Sequence, residues 1–156
     1  MTLRAMTVHG HHTGRGRLKG LIFLGLLLVA PALWAECTVS AQSVVFGNYD
    51  VFSVQSLDGA GNISVNCSPG ASYTLGLSTG GGSYSQRELA GGAQILYYNL
   101  YTSASRSVVW GDGSGGTATV SGSGESANHT VYGRIPAGQN LPVGSYGDTI
   151  IVTVTF

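Results

Sequence analysis

Past Lys19 the sequence contains no lysine, and past residue 35 its only cations are Arg87, Arg106 and Arg134. Charged residues make up 9% of the 156. That scarcity excludes a basic groove for nucleic acid and an electrostatic hold on anionic lipid. A helical period is missing throughout, which argues against bundles and α/β layers. Histidine is reduced to His129 after residue 12, and cysteine to Cys37 and Cys67. A metal site or a thiol-based catalytic pair therefore has no supporting cluster of ligands or bases.

What is present begins with a leader. Arg4, Arg15, Arg17 and Lys19 precede the apolar run Leu21–Ala30, which Pro31 breaks ahead of Ala32-Leu33-Trp34-Ala35. This is the pattern of a signal peptide over residues 1–35, removed on export, with cleavage after Ala35 and after Ala32 as the alternative. The run is short for a bilayer span, so no stable membrane insertion is expected after processing. Glu36 before Cys37 argues against a lipoprotein site, and Met6 is a second candidate start. His9, His11 and His12 lie in the leader and carry no weight as ligands.

Residues 36–156 then form one domain of 121 residues, enough for one modest core. Its three arginines against seven acids leave a net charge of −4. Twenty glycines, with many Ser, Thr, Val and Tyr, indicate short strands joined by tight turns. In an exported chain Cys37 and Cys67 read as a disulfide, worth roughly 3 kcal/mol in the chain-entropy model.

The strongest local signal is the end of the chain. Gly144-Ser145-Tyr146-Gly147-Asp148 is a turn, after which Ile150, Val152, Val154 and Phe156 alternate with Thr149, Ile151, Thr153 and Thr155. That is a half-buried strand, and a strand in such a position is an edge unless something pairs with it. Upstream, strands are expected at Thr38–Phe46, Ile63–Cys67, Tyr73–Leu77, Ile95–Tyr101, from Val108, at Thr117–Val120 and at Thr130–Ile135. Loops are expected at Leu57–Gly61, Thr79–Gln86 and Ser121–Ala127, with a turn at Ser68–Gly70. Seven or eight strands with such connections predict an all-β, immunoglobulin-like Greek-key sandwich.

Seven stretches, in order, carry a family resemblance: Cys37; Phe46-Gly47-Asn48-Tyr49-Asp50; Asn62–Cys67; Tyr98-Asn99-Leu100-Tyr101; Val109-Trp110-Gly111-Asp112; Val131-Tyr132-Gly133-Arg134-Ile135-Pro136; and Gly144–Phe156. Together they resemble the spore coat protein U family, which includes subunits of archaic chaperone–usher pili. The resemblance implies an incomplete sandwich lacking its last strand, completed by a donor strand from a periplasmic chaperone and then from another pilus subunit. Ile150, Val152, Val154 and Phe156 would line that groove, with the Phe156 carboxylate as an anchor for a basic chaperone residue. The implied partners also include an outer-membrane usher, and the implied destination is periplasm, then cell surface, as a fimbrium or coat active in adhesion or biofilm. A shaft subunit of the family carries a donor extension ahead of its first cysteine. The predicted cleavage leaves no room for one, which points to a terminal position.

Other constellations are weaker. Asp112–Gly116 resembles a calcium loop but supplies one carboxylate, so a plain turn is expected. His129 lacks a defined triad, so no enzyme activity and no cofactor are expected. Asn62, Asn66 and Asn128 form sequons read as turn and strand chemistry. Tyr84 and Leu89, beside a glycine-rich loop, are candidates for an adhesive surface. Tyr97, Tyr98, Tyr101 and Trp110 suit either core packing or sugar stacking, and the latter gives the alternative function: a self-sufficient extracellular carbohydrate-binding module.

Overall fold

The computed structural model of the chain describes residues 8–10, 36–68 and 71–156, the first three by their backbone alone. The leader's basic and apolar runs, both cleavage sites and the turn at Pro69-Gly70 lie outside the described residues. Among those described there is no helix. Ten strands occur in chain order: β1 (Val8–Gly10), β2 (Glu36–Val45), β3 (Leu57–Ser68), β4 (Ser72–Leu77), β5 (Gly81–Gly82), β6 (Arg87–Gly91), β7 (Gln94–Tyr101), β8 (Val120–Ser123), β9 (Ser126–Ile135) and β10 (Val152–Thr155).

They form two sheets, one ordered β2-β3-β9-β7-β6-β5 and the other β1-β10-β4-β8. Every pair is antiparallel except β1 with β10. One face of each sheet meets the other in a single core, where Ile63, Val65, Leu100, Val131 and Ile135 of the larger sheet pack with Leu75, Leu77, Val152 and Val154 of the smaller. The protein is thus an all-β, two-layer fold.

The alternation of apolar residues placed most strands, and the errors have a common cause. Leu57–Gly61 is strand rather than loop, because Leu57 to Gly61 pair with Ile135 to Val131 of β9; its glycines leave room for a neighbouring chain segment. The Thr79–Gln86 loop contains the short β5, and the unexpected strand β6 follows it. The Ser121–Ala127 stretch is the end of β8, a tight turn at Gly124, whose φ is 103°, and the start of β9, and it carries the chain from the smaller sheet to the larger. Val108–Trp110 is not a strand: Val109 and Trp110 make isolated bridges to Tyr101 and Ala118. Backbone bonds from Trp110 N to Leu100 O and from Ala118 N to Val109 O hold that segment together with the burial of Trp110.

Cys37 and Cys67 are directly opposed on β2 and β3 and joined by a disulfide that closes a separation of 30 residues. The β2 ladder slips between Gln42 and Val45. Beyond the slip Phe46 turns into the core, and Tyr49 docks on the end of β9: its hydroxyl donates to the Pro136 carbonyl at 2.9 Å and accepts from Gln139 N.

Candidate functional site

The terminal strand has the alternation its sequence dictates. Ile150, Val152 and Val154 are buried, Ile151, Thr153 and Thr155 are exposed, and Phe156 is half-buried against the core. One edge of β10 pairs with β4, from Val152 opposite Leu77 to Thr155 opposite Thr74. Among the described residues the other edge carries only β1, with Val8 opposite Val152, His9 opposite Thr153 and Gly10 opposite Val154.

Val8–Gly10 fall within the expected leader and pair with β10 in this structure. The physical reason is the edge itself. A row of backbone donors and acceptors flanked by buried valines pairs with a strand-forming segment within reach.

The entry to β10 is held firmly. Asp148 accepts hydrogen bonds from Gly81 N at 2.9 Å and Thr149 N at 2.7 Å through Oδ1, and from the Tyr98 hydroxyl at 2.6 Å through Oδ2. Burial, reinforced by that bond to Asp148, pushes the Tyr98 phenol far above its ordinary range. Ser78 bridges the strands: its Oγ accepts from Ile151 N and its N donates to Ile151 O. The segment leading into β10 is thus tied to β5, β7 and the Ser78 turn by hydrogen bonds.

Next to it lies a buried cation. Arg87 is fully buried; it donates to the Ser78 carbonyl through Nε and Nη2, to the Trp110 carbonyl through Nη2, and to Asn99 Oδ1 through Nη1. Asn99 donates onward to the Tyr84 and Ser85 carbonyls. Burial lowers the Arg87 pKa, and no carboxylate bonds it directly. This network ties the Tyr84 loop to the core, so Tyr84 and Leu89 do not form a free adhesive surface. Tyr84 lies under the Arg87 guanidinium and donates its hydroxyl to Leu77 O, while Leu89 is fully buried.

Of the aromatic set, Tyr98 and Trp110 are core residues, the indole donating to Leu75 O at 3.1 Å, whereas Tyr97 and Tyr101 are half-buried. His129 Nε2 lies 2.8 Å from the Tyr73 hydroxyl, and burial lowers its pKa. Asp112 Oδ1 accepts from Ser114 N and Oγ, which closes its loop as a turn. Asn62, Ser64 and Asn128 bond one another across β3 and β9.

Sequence reasoning missed two surfaces. Phe52, Val54 and Val143 stand exposed, and Phe52 and Val143 border a cleft of about 450 Å³ lined also by Tyr49, Leu96, Leu141 and Tyr146. The run Val51-Phe52-Ser53-Val54 was a visible signal, obscured because an apolar run of that length ordinarily indicates a buried strand. The second surface, around Arg106 and Arg134, joins residues far apart in sequence.

Three comparisons bear on the whole. A family model described as Spore Coat Protein U domain matches residues 23–153. Protein U of Myxococcus xanthus is 38% identical over 125 residues, covering 71% of this chain and 70% of that protein. Among solved structures, a chain of the CsuC–CsuE chaperone–tip adhesion subunit pre-assembly complex from archaic chaperone–usher Csu pili of Acinetobacter baumannii has the same fold. Its TM-score is 0.58 at 21% identity, over 79% of this chain and 40% of that one. This chain therefore spans less than half the length of that solved chain.

Proposed function

The chain belongs to the spore coat protein U domain family, and from that membership we propose that it is an exported, non-enzymatic structural subunit that accepts a donor strand along β10. The observation that carries this reading is the outer edge of β10, a strand with buried Val152 and Val154 whose only partner there, among the described residues, is the three-residue β1. A longer strand from a periplasmic chaperone, and later from another subunit, would replace β1 and cover the core face of Ile150, Val152, Val154 and Phe156. The assembly is a chaperone–usher pilus or a spore-coat-like layer, handed on through an outer-membrane usher. With cleavage after Ala35 the subunit takes a terminal place, accepting a strand without giving one. Its adhesive surface is the apolar cleft bordered by Phe52 and Val143, in place of Tyr84 and Leu89.

The test is to export the chain with and without a cognate chaperone and follow thermal unfolding of the oxidised product. A stable one-to-one complex, with no cooperative melt for the lone processed domain, supports strand acceptance. A lone monomer that melts cooperatively overturns it.

A further inference from the structure

With Arg87 buried, Arg106 and Arg134 are the only arginines of residues 36–156 with side chains reaching solvent, and the fold brings them together from positions 28 residues apart onto one carboxylate. Arg134 of β9 grips Asp58 of β3 in a two-pronged pair, Nε to Oδ1 at 2.7 Å and Nη2 to Oδ2 at 2.9 Å. Arg106 Nε lies 3.2 Å from the same Oδ1. Two guanidinium groups on one carboxylate leave a local charge of +1 on a domain whose net charge is −4.

Arg106 is held in place before any ligand arrives. It has a left-handed φ of 52°, unusual for a residue with a side chain, and donates Nη1 to Ala104 O and Nε to Gly133 O. Its guanidinium lies 5.8 Å from the centre of the Tyr132 ring. Tyr132 is directly opposite Tyr101 on one side and Ala60 on the other, so two tyrosines and a small residue make a flat row beside the arginines. Among the described residues, neither Arg134 Nη1 nor Arg106 Nη2 makes a hydrogen bond. Donors for a second anion are therefore left over.

We propose that this face of the larger sheet binds an acidic polysaccharide, its uronate carboxylates on the remaining donors of Arg106 and Arg134 and its sugar rings along Tyr101 and Tyr132. Planar guanidinium forks suit carboxylates, and tyrosine offers an apolar ring face with a polar rim. A protein partner would want an apolar centre to the patch; the one large exposed aliphatic residue in these rows, Val45, faces Ala60 from β2 at the end away from Tyr101, while Asp58 and Arg134 hold the adjoining row. The site stands apart from β10 and does not depend on strand acceptance.

The test is calorimetry of the exported full chain, in whatever complex it is purified, with tetragalacturonate, neutral cellotetraose and tetraglutamate at low and high salt. Tetragalacturonate is expected to bind at least roughly tenfold more tightly than either of the others, and to weaken with salt. R134Q and R106Q should each weaken it roughly tenfold or more, and Tyr132→Ala should weaken it with the arginines intact. Unchanged melting curves would separate these effects from misfolding, with R134K as the milder variant if R134Q melts early. Equal affinity for cellotetraose, equal affinity for tetraglutamate, or uronate binding indifferent to R106Q and R134K would each overturn the proposal.

Discussion

Gly59 and Gly133 face each other across the β3–β9 ladder, and the ring of Phe46 lies over both. A Cβ at Gly133 would sit 2.5 Å from Phe46 Cζ, and one at Gly59 would sit 2.7 Å from Val45 O. The close approach lets β2, after its slip, bring Phe46 into the core, where it meets Tyr98 edge-on with centroids 5.9 Å apart. Gly133→Ala should therefore cost about 1–3 kcal/mol by overpacking, lowering Tm by roughly 3–10 °C. A thermal melt within a degree of the parent would show that Phe46 relaxes freely.

The buried guanidinium gives a second prediction. Arg87→Met keeps volume but removes the donors serving Ser78 O, Trp110 O and Asn99 Oδ1. Asn99 Oδ1 keeps its bond from Leu100 N, but leaving the Ser78 and Trp110 carbonyls without this donor should cost about 3 kcal/mol or more. Arg87→Lys should recover only part of the loss, since one ammonium cannot fork among three separate acceptors. Denaturant midpoints decide it, and a lysine variant as stable as the parent would sink the network account.

Stability should fall with acid in two windows. Burial depresses the His129 pKa below 6.5, so the unfolded chain takes up that proton first. The stabilisation is present above pH 6.5 and is lost as pH falls through it toward the folded value. Asp58 is depressed below 3.8, chiefly by its hydrogen bond from Arg134, and its contribution is present above that value and lost below it. His129→Gln should flatten the first decline and Asp58→Asn the second, in urea midpoints measured from pH 7.5 to 3. An undiminished slope between pH 7 and 5.5 in His129→Gln would assign that window elsewhere.

Period-two alternation exposed β10 and most of the ladder in the sequence, because Val, Ile and Thr on a pleat leave a local pattern. The sequence stretches that carried the family resemblance also turn out to be contact points: Phe46 and Tyr49 meet Gly133 and Pro136, and Asn99 and Trp110 meet Arg87. Burial of Arg87 and Leu89 was hidden by the neighbouring glycines and serines, whose composition is that of a loop. The Asp58–Arg106–Arg134 cluster was invisible for a different reason. It depends on strand register and on one left-handed residue, neither of which leaves a local signature.

The last prediction concerns the edge of β10. Among the described residues its outer edge is covered by Val8–Gly10 alone, and three residues of parallel pairing give little protection against local opening. Amides of Val152–Thr155 that face this edge should exchange at least roughly tenfold faster in a chain beginning at Glu36 than in a complex with a full-length donor strand. Amides of Ile63 and Val131, inside the β3–β9 ladder, should exchange at the same rate in both. An added peptide of alternating apolar residues should slow exchange at β10 and leave the larger sheet unchanged. Equal protection of β10 with and without a donor would mean that β4 pairing and core burial hold the strand unaided, and the edge would then have no need of a partner.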